Sequence, residues 1–154
     1  MIQRIQSIYL FLCSLTVALM FCWPLAFIKG YSEEFSLTTQ GIFLINGEQK
    51  ESTLIIAAFL ILEILFSLSI IFFYKKRSLQ IILGKLNLLF LTLLIGVVFY
   101  YADRAKLLTG LPNDSLVNYQ LPCLFPVISI ILNYLAIRAI KKDDDLVRAA
   151  DRLR

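Results

Sequence analysis

The chain contains no histidine, which excludes imidazole metal sites and imidazole acid–base chemistry. Its three cysteines, Cys13, Cys22 and Cys123, show no CxxC spacing, so they form neither a thiolate metal site nor a thioredoxin-like motif. No glycine-rich phosphate loop occurs. Small residues are sparse where apolar helices would need them to approach closely: Gly84 and Gly96 form no GxxxG, and Ala18, Ala57 and Ala58 offer limited contact sites. Neither a cofactor nor a metal is expected.

Apolar sequence is what the chain has in excess. It is 154 residues long and 59% hydrophobic, with mean hydropathy +0.79, whereas soluble domains are about 45–50% apolar. Four apolar stretches, about 8–28, 53–74, 81–101 and 121–140, each hold about 20 residues, enough to cross a hydrocarbon core of about 30 Å as a helix. The expected fold is one all-α membrane domain, a four-transmembrane-helix antiparallel bundle. The first stretch has the Arg4 and Ala26 of a secretory signal, but its apolar run exceeds the about 7–15 residues of a signal core. Leu12 and Phe21, which precede Cys13 and Cys22, are too large for a lipid-attachment site. An uncleaved first helix is therefore expected.

Eleven of the fifteen basic residues fall on one side of this bundle: Arg4, the second connection with Lys75, Lys76, Arg77 and Lys85, and the segment from Arg138 to Arg154. Lys29, Lys50, Arg104 and Lys106 fall on the other. The positive-inside rule places both termini in the cytoplasm. This asymmetry accounts for the net charge of +4 without nucleic acid. Trp23, Tyr31, Tyr74, Tyr100, Tyr101 and Tyr119 sit where the helices meet the interfaces.

The connections differ in kind. The basic turn YKKRSLQ makes the second and third helices close antiparallel neighbours. In the acidic first connection, 29–52, Phe35, Leu37 and Thr39 alternate with polar residues, and Asn46-Gly47 follows the β-prone run Ile42–Ile45. This pattern predicts a small extracytoplasmic β-hairpin, serving as an ordered cap or as a binding element. The third connection, 103–120, turns at Gly110, Pro112 and Asn113, with Leu107, Leu108 and Leu111 available to the interface. Pro122 suits the first turn of the fourth helix, and Pro126, one turn deeper, is expected to bend it. Cys22 and Cys123 would pair if helices one and four touched in an oxidising compartment; separate buried thiols are the preferred reading.

The candidate intramembrane polar residues are Glu63, Ser67, Asn87, Ser129 and Asn133. A carboxylate at the bilayer centre costs about 2.5–3.5 kcal/mol on insertion scales. Glu63 should therefore face the bundle, neutral unless a cation sits beside it. Asn133, with Ser129 one turn before it, is its expected partner, and Asn87 is placed nearer the cytoplasmic surface. Three roles follow for Glu63: a hydrogen-bonding pin between helices, which is preferred, a proton-relay or ion-coupling carboxylate, or a contact with a partner subunit. The tail, 141–154, predicts a short cytoplasmic amphipathic helix over Asp144–Leu153. It either rests on headgroups or docks a protein through Asp143, Asp144, Asp145, Leu146, Arg148 and Arg152.

The opening MIQRIQSIYLFL, the segment QIILGKLNLLFL and the ending AIRAIKKDDDLVRAADRLR resemble an uncharacterised bacterial membrane family, domain-of-unknown-function family 4293. The resemblance spans nearly the whole chain and implies a four-helix inner-membrane protein of a Gram-negative bacterium. It brings no activity and no site residue. The expected function is non-enzymatic: an accessory or structural subunit in the lipid bilayer, acting through a protein partner or a homo-oligomer. A small transporter or proton-coupled carrier using Glu63 is the alternative.

Overall fold

A computed structural model of the chain describes residues 3–30, 33–74, 76–108 and 116–152, with the backbone alone at 3, 4, 148 and 150–152. Four helices run through it: α1 (Gln3–Ala18), α2 (Leu54–Phe72), α3 (Arg77–Leu108) and α4 (Phe125–Arg152). Each packs on two others, in the ring α1, α2, α3, α4. Neighbours run antiparallel. Gln6 reaches Ala139 and Cys13 reaches Ser129, while Gln80 reaches Ile70 across the tight α2–α3 turn.

The first apolar stretch does not form one spanning helix. α1 ends at Ala18 and tightens into a 3-10 turn at Leu19–Phe21. Pro24 then forbids continuation, since its ring clashes with helical backbone and pushes the preceding residue toward extended geometry. Ala26–Lys29 becomes a strand, β1. Three helices are long and apolar enough to cross a membrane, Leu54–Phe72, Arg77–Leu108 and Leu121–Val147, and Ile5–Phe21 is a shorter apolar helix.

The expected hairpin is part of a larger sheet. β1 joins β2 (Glu34–Leu37), β3 (Gly41–Leu44), β4 (Gln49–Ser52) and β5 (Leu116–Tyr119) in the antiparallel order β4-β3-β2-β1-β5. The Asn46-Gly47 turn lies between β3 and β4 as its sequence predicts, with Gly47 at φ +91°. Alternation selects the inner face: Ala26, Ile28, Phe35, Leu37, Ile42 and Leu44 are buried. β5 has no such alternation, with Leu116, Asn118 and Tyr119 exposed. Its place is set by pairing with β1, in register Ala26↔Tyr119 and Lys29↔Leu116.

α3 supports this sheet. At about 1.5 Å per residue its 32 residues exceed a hydrocarbon core by several turns. The surplus carries Tyr101, Ala102 and Ala105 into one core with Ile28, Phe35 and Leu37. Tyr101 is thus a core residue, not the interfacial aromatic its position suggests. Two polar ties hold the sheet to the helices. Arg104 donates to Glu51 at 3.0 Å, and the buried Thr53 hydroxyl donates to the Thr38 carbonyl at 2.8 Å. The expected turn at Gly110, Pro112 and Asn113, like Leu111 and Tyr31, lies outside the described residues.

At the other end, α4 continues without a break to Arg152, so the tail forms no separate helix. Pro126 falls in its first turn after a 3-10 segment at Leu121–Leu124, and the Pro122 carbonyl that it would orphan accepts from the Phe125 N–H. No bend is required of it. The α3–α4 contact tests the packing. A Cβ on Gly84 would lie 2.7 Å from Ile137 Cγ1, whereas one on Gly96 meets nothing within 4 Å. Gly84→Ala should cost about 1–3 kcal/mol through overpacking and lower the thermal midpoint in detergent. Gly96→Ala should leave it unchanged or raise it slightly. Equal midpoints would refute a close α3–α4 contact at Gly84.

Candidate functional site

Polar residues occupy the inward stripe of every helix. The buried positions of α2 include Ile56, Leu60, Glu63, Ser67 and Ile70, and those of α3 include Gln80, Gly84, Asn87, Leu91 and Leu94. Ser129, Asn133, Ala136 and Ile140 continue the pattern on α4, and Gln6, Leu10, Cys13 and Val17 on α1. The intervals alternate between four and three residues, the repeat that keeps one stripe facing its neighbours in antiparallel bundles. Glu63, only 3% exposed, thus lies at a seam position of the bundle.

Most of this layer is hydrogen-bonded between helices. The Ser67 hydroxyl donates to the Leu10 carbonyl at 3.1 Å, and Asn133 Nδ2 donates to the Gly84 carbonyl at 3.0 Å. Ser129 Oγ lies 2.6 Å from Thr16 Oγ1 and donates to the Cys13 carbonyl at 3.4 Å. These bonds join α1 to α2, α3 to α4 and α1 to α4. Glu63 differs. Neither of its carboxyl oxygens has a hydrogen-bond partner, nor has either polar atom of Asn87, nor Asn133 Oδ1. Asn87 stands beside the carboxyl, close enough to interact with it but outside hydrogen-bonding geometry. The Cys13 thiol faces Glu63 and Ser67 from α1.

The five candidate polar residues are all buried on the inward stripes, and the expected Glu63–Asn133 pairing does not form. Asn133 is turned onto Gly84, and Asn87 is the neighbour of Glu63. Asn87 is completely buried, at the depth of Glu63 rather than near the surface. Sequence reasoning missed Gln6, Cys13, Thr16 and Gln80 as members of the layer. All but Thr16 were marked by the alternating four- and three-residue repeat.

The tail residues divide. Asp143 forms an ion pair with Arg77 at 3.2 Å and fixes the extension of α4 beside the start of α3. Asp144 is half-buried, while Asp145 and Leu146 are exposed. The side chains of Arg148 and Arg152 lie outside the described residues. All three cysteines are free. Cys22 is exposed rather than buried, and the Cys123 thiol donates to the Leu25 carbonyl at 3.0 Å.

Among the described residues no group of His, Cys, Asp or Glu is placed to hold a metal. At the sheet end an open cavity of about 380 Å³ is lined by residues including Leu19, Trp23, Phe27, Gln120, Leu121 and Pro122, with no charged side chain among the described residues that line it.

A family match covers residues 2–153. The chain belongs to the family described as Domain of unknown function (DUF4293). No curated protein matches it. The match bears out the resemblance to this family, and the family's description assigns no chemistry to the buried layer. The layer is open to direct measurement. Asn133→Leu removes one interhelical hydrogen bond while keeping the branching of the side chain, a bond worth about 0.6 and at most about 1.7 kcal/mol in membrane bundles. Its thermal midpoint in detergent should fall by a few degrees only; outright unfolding would show that the Asn133–Gly84 contact does far more than pin two helices.

Proposed function

We propose that this member of the family is an integral protein of a bacterial inner membrane, with both ends of the chain in the cytoplasm and the sheet on the opposite face. We infer that it works without catalysis, as an accessory or structural subunit acting through protein partners. Its inside-out distribution of polarity carries the membrane reading. Leu54 is 65%, Leu62 57%, Phe72 79% and Ile131 56% exposed, while Glu63, Asn87 and Asn133 are buried. In water that arrangement would expose far more contiguous apolar surface than a monomer tolerates; in lipid it is the expected one. α1 is too short to span unaided, and its place between α2 and α4 supports it as the fourth member of the bundle.

Orientation follows from charge. Lys76, Lys85, Arg138, Lys141 and Lys142 are exposed at or toward the end away from the sheet, and the positive-inside rule assigns that end to the cytoplasm. A membrane-impermeant maleimide added to spheroplasts should label Cys22 at the sheet end. An Asp145→Cys substitution in a Cys22→Ser background should be labelled only after lysis. The reverse pattern would invert the topology.

The partner role is supported by where polar surface remains. The bundle encloses its polar layer, the sheet-end cavity is mostly apolar, and among the described residues β4 and β5 are the edges of the sheet and the turn of α4 at Asp145 and Leu146 is exposed. Open strand edges invite pairing by another chain. A tagged protein drawn from mild detergent should bring down a stoichiometric partner or a second copy, and deletion of residues 145–154 should weaken that recovery. A solitary monomer indifferent to the deletion would refute the partner role. The carrier reading has one observation in its favour, the carboxyl of Glu63 without a bonded partner. It requires Glu63→Gln to abolish a measurable flux in proteoliposomes.

A further inference from the structure

The unbonded atoms around Glu63 are unbalanced. Glu63 Oε1 and Oε2, Asn87 Oδ1 and Asn133 Oδ1 are acceptors, and Asn87 Nδ2 alone is a donor. Buried polar groups without partners are costly, and a buried carboxylate without a cation costs still more. Among the described residues no cationic side chain is placed beside the carboxyl. The groups beside it are the Cys13 thiol from α1 and Asn87 from α3; Ser67, Ser129 and Asn133 are buried on the same stripes and bonded elsewhere. The nearest basic side chains in sequence on α3 and α4, Lys85 and Arg138, are exposed on outer faces.

Helix geometry fixes the level at which Glu63 and Asn87 meet. Gln80 Nε2 donates to the Ile70 carbonyl at 3.1 Å, which aligns α2 with α3 near their turn. Glu63 lies seven residues before Ile70, and Asn87 seven residues after Gln80. Seven residues make about two turns, so the two side chains arrive at one depth on facing stripes.

We propose that Glu63 and Asn87 form a proton-binding acid–amide pair: the carboxyl carries one exchangeable proton and donates it to Asn87 Oδ1, while Asn87 Nδ2 donates back to the other carboxyl oxygen. The added proton turns one acceptor into a donor, so two donors meet two acceptors in a closed ring. A small monovalent cation would need several oxygen ligands at once, whereas the amide beside the carboxyl is that of Asn87 alone, and Asn133 is anchored through Nδ2 to the Gly84 carbonyl.

The proton is held rather than relayed. Toward the sheet, Val17, Leu60 and Leu91 close the layer, and toward the other end Leu10, Ile70 and Ala136 do so, all fully buried. The ligand of this site is thus a proton that latches α2 to α3 at mid-height, a role independent of any partner.

Infrared spectroscopy of the purified full-length protein at neutral pH tests the pair. The wild type should show a neutral-carboxyl band that shifts in heavy water and is lost in Glu63→Gln. In Asn87→Leu the band should persist and move to higher frequency, because its carbonyl has lost a hydrogen bond. Glu63→Gln, whose amide closes the same ring, should keep the wild-type thermal midpoint within a few degrees. Ionised-carboxylate bands alone at neutral pH would overturn the proposal. So would a sodium- or potassium-dependent rise of the midpoint that disappears in Glu63→Gln, since it would place a cation in the site. If Glu63→Gln does not fold, the band and its displacement in Asn87→Leu decide the question.

Discussion

Polar side chains buried among apolar helices must be satisfied from within. That constraint organises this chain. Each helix places polar residues on the common stripe, and the resulting contacts tie every helix to a neighbour: Ser67 to the Leu10 carbonyl, Gln80 to Ile70, Asn133 to Gly84, Gln6 to Ala139. Each such bond contributes little, about 0.6 kcal/mol on average in membrane bundles. Their value lies in direction. Leucine packs against leucine at many registers, but an amide donor reaches one carbonyl, so the polar layer selects one alignment among several of similar apolar burial.

The sheet depends on the same bundle. Five strands of four residues each form a surface too small to stand alone, and it is built on the end of α3. The alanines at 102 and 105 let that helix lie close beneath Ile28, Phe35 and Leu37. Two covalent accidents of sequence make this possible. Pro24 stops α1 early enough to release β1, and the extra length of α3 lifts its last turns to the level of the strands. Shorten α3 or extend α1, and the inner face of the sheet loses its floor.

Much of this was legible in the sequence. The long apolar stretches, the tight α2–α3 turn, the Asn46-Gly47 reversal and the inward placement of Glu63 follow from period, length and turn chemistry. What was not legible required pairing between distant segments. Ala26–Lys29 sits inside an apolar run and reads as helix; only its bonds to β2 and β5 make it a strand. Leu116–Tyr119 lacks alternation because, at an edge, neither of its faces is fully covered. The length of α3 was hidden by Asp103, Arg104 and Lys106, whose charges end the apolar pattern while the helix continues beside the sheet. The partner of Glu63 was misassigned for a related reason. Depth was judged from distance along each apolar stretch, whereas the short turn links α2 and α3 directly and makes equal distances from it equal depths.

Symmetry about that turn explains why the buried acid Glu63 has an amide opposite it. A carboxyl group at a seam position can be tolerated in three ways: a cation, a water-filled opening, or a neutral acid with a complementary neighbour. The basic side chains nearest in sequence on α3 and α4 point outward, and apolar layers close the stripe above and below, which leaves the third. An amide suits that task better than a hydroxyl, because it presents a donor and an acceptor side by side and so matches both carboxyl oxygens at once. Asn87 on the adjacent helix supplies that pair of atoms at the same depth, while Ser67 and Ser129 spend their hydroxyl hydrogens on backbone or hydroxyl oxygens of α1. The acid is therefore better understood together with its amide, as a single fitting between α2 and α3, than as an isolated charge in search of a transported ion.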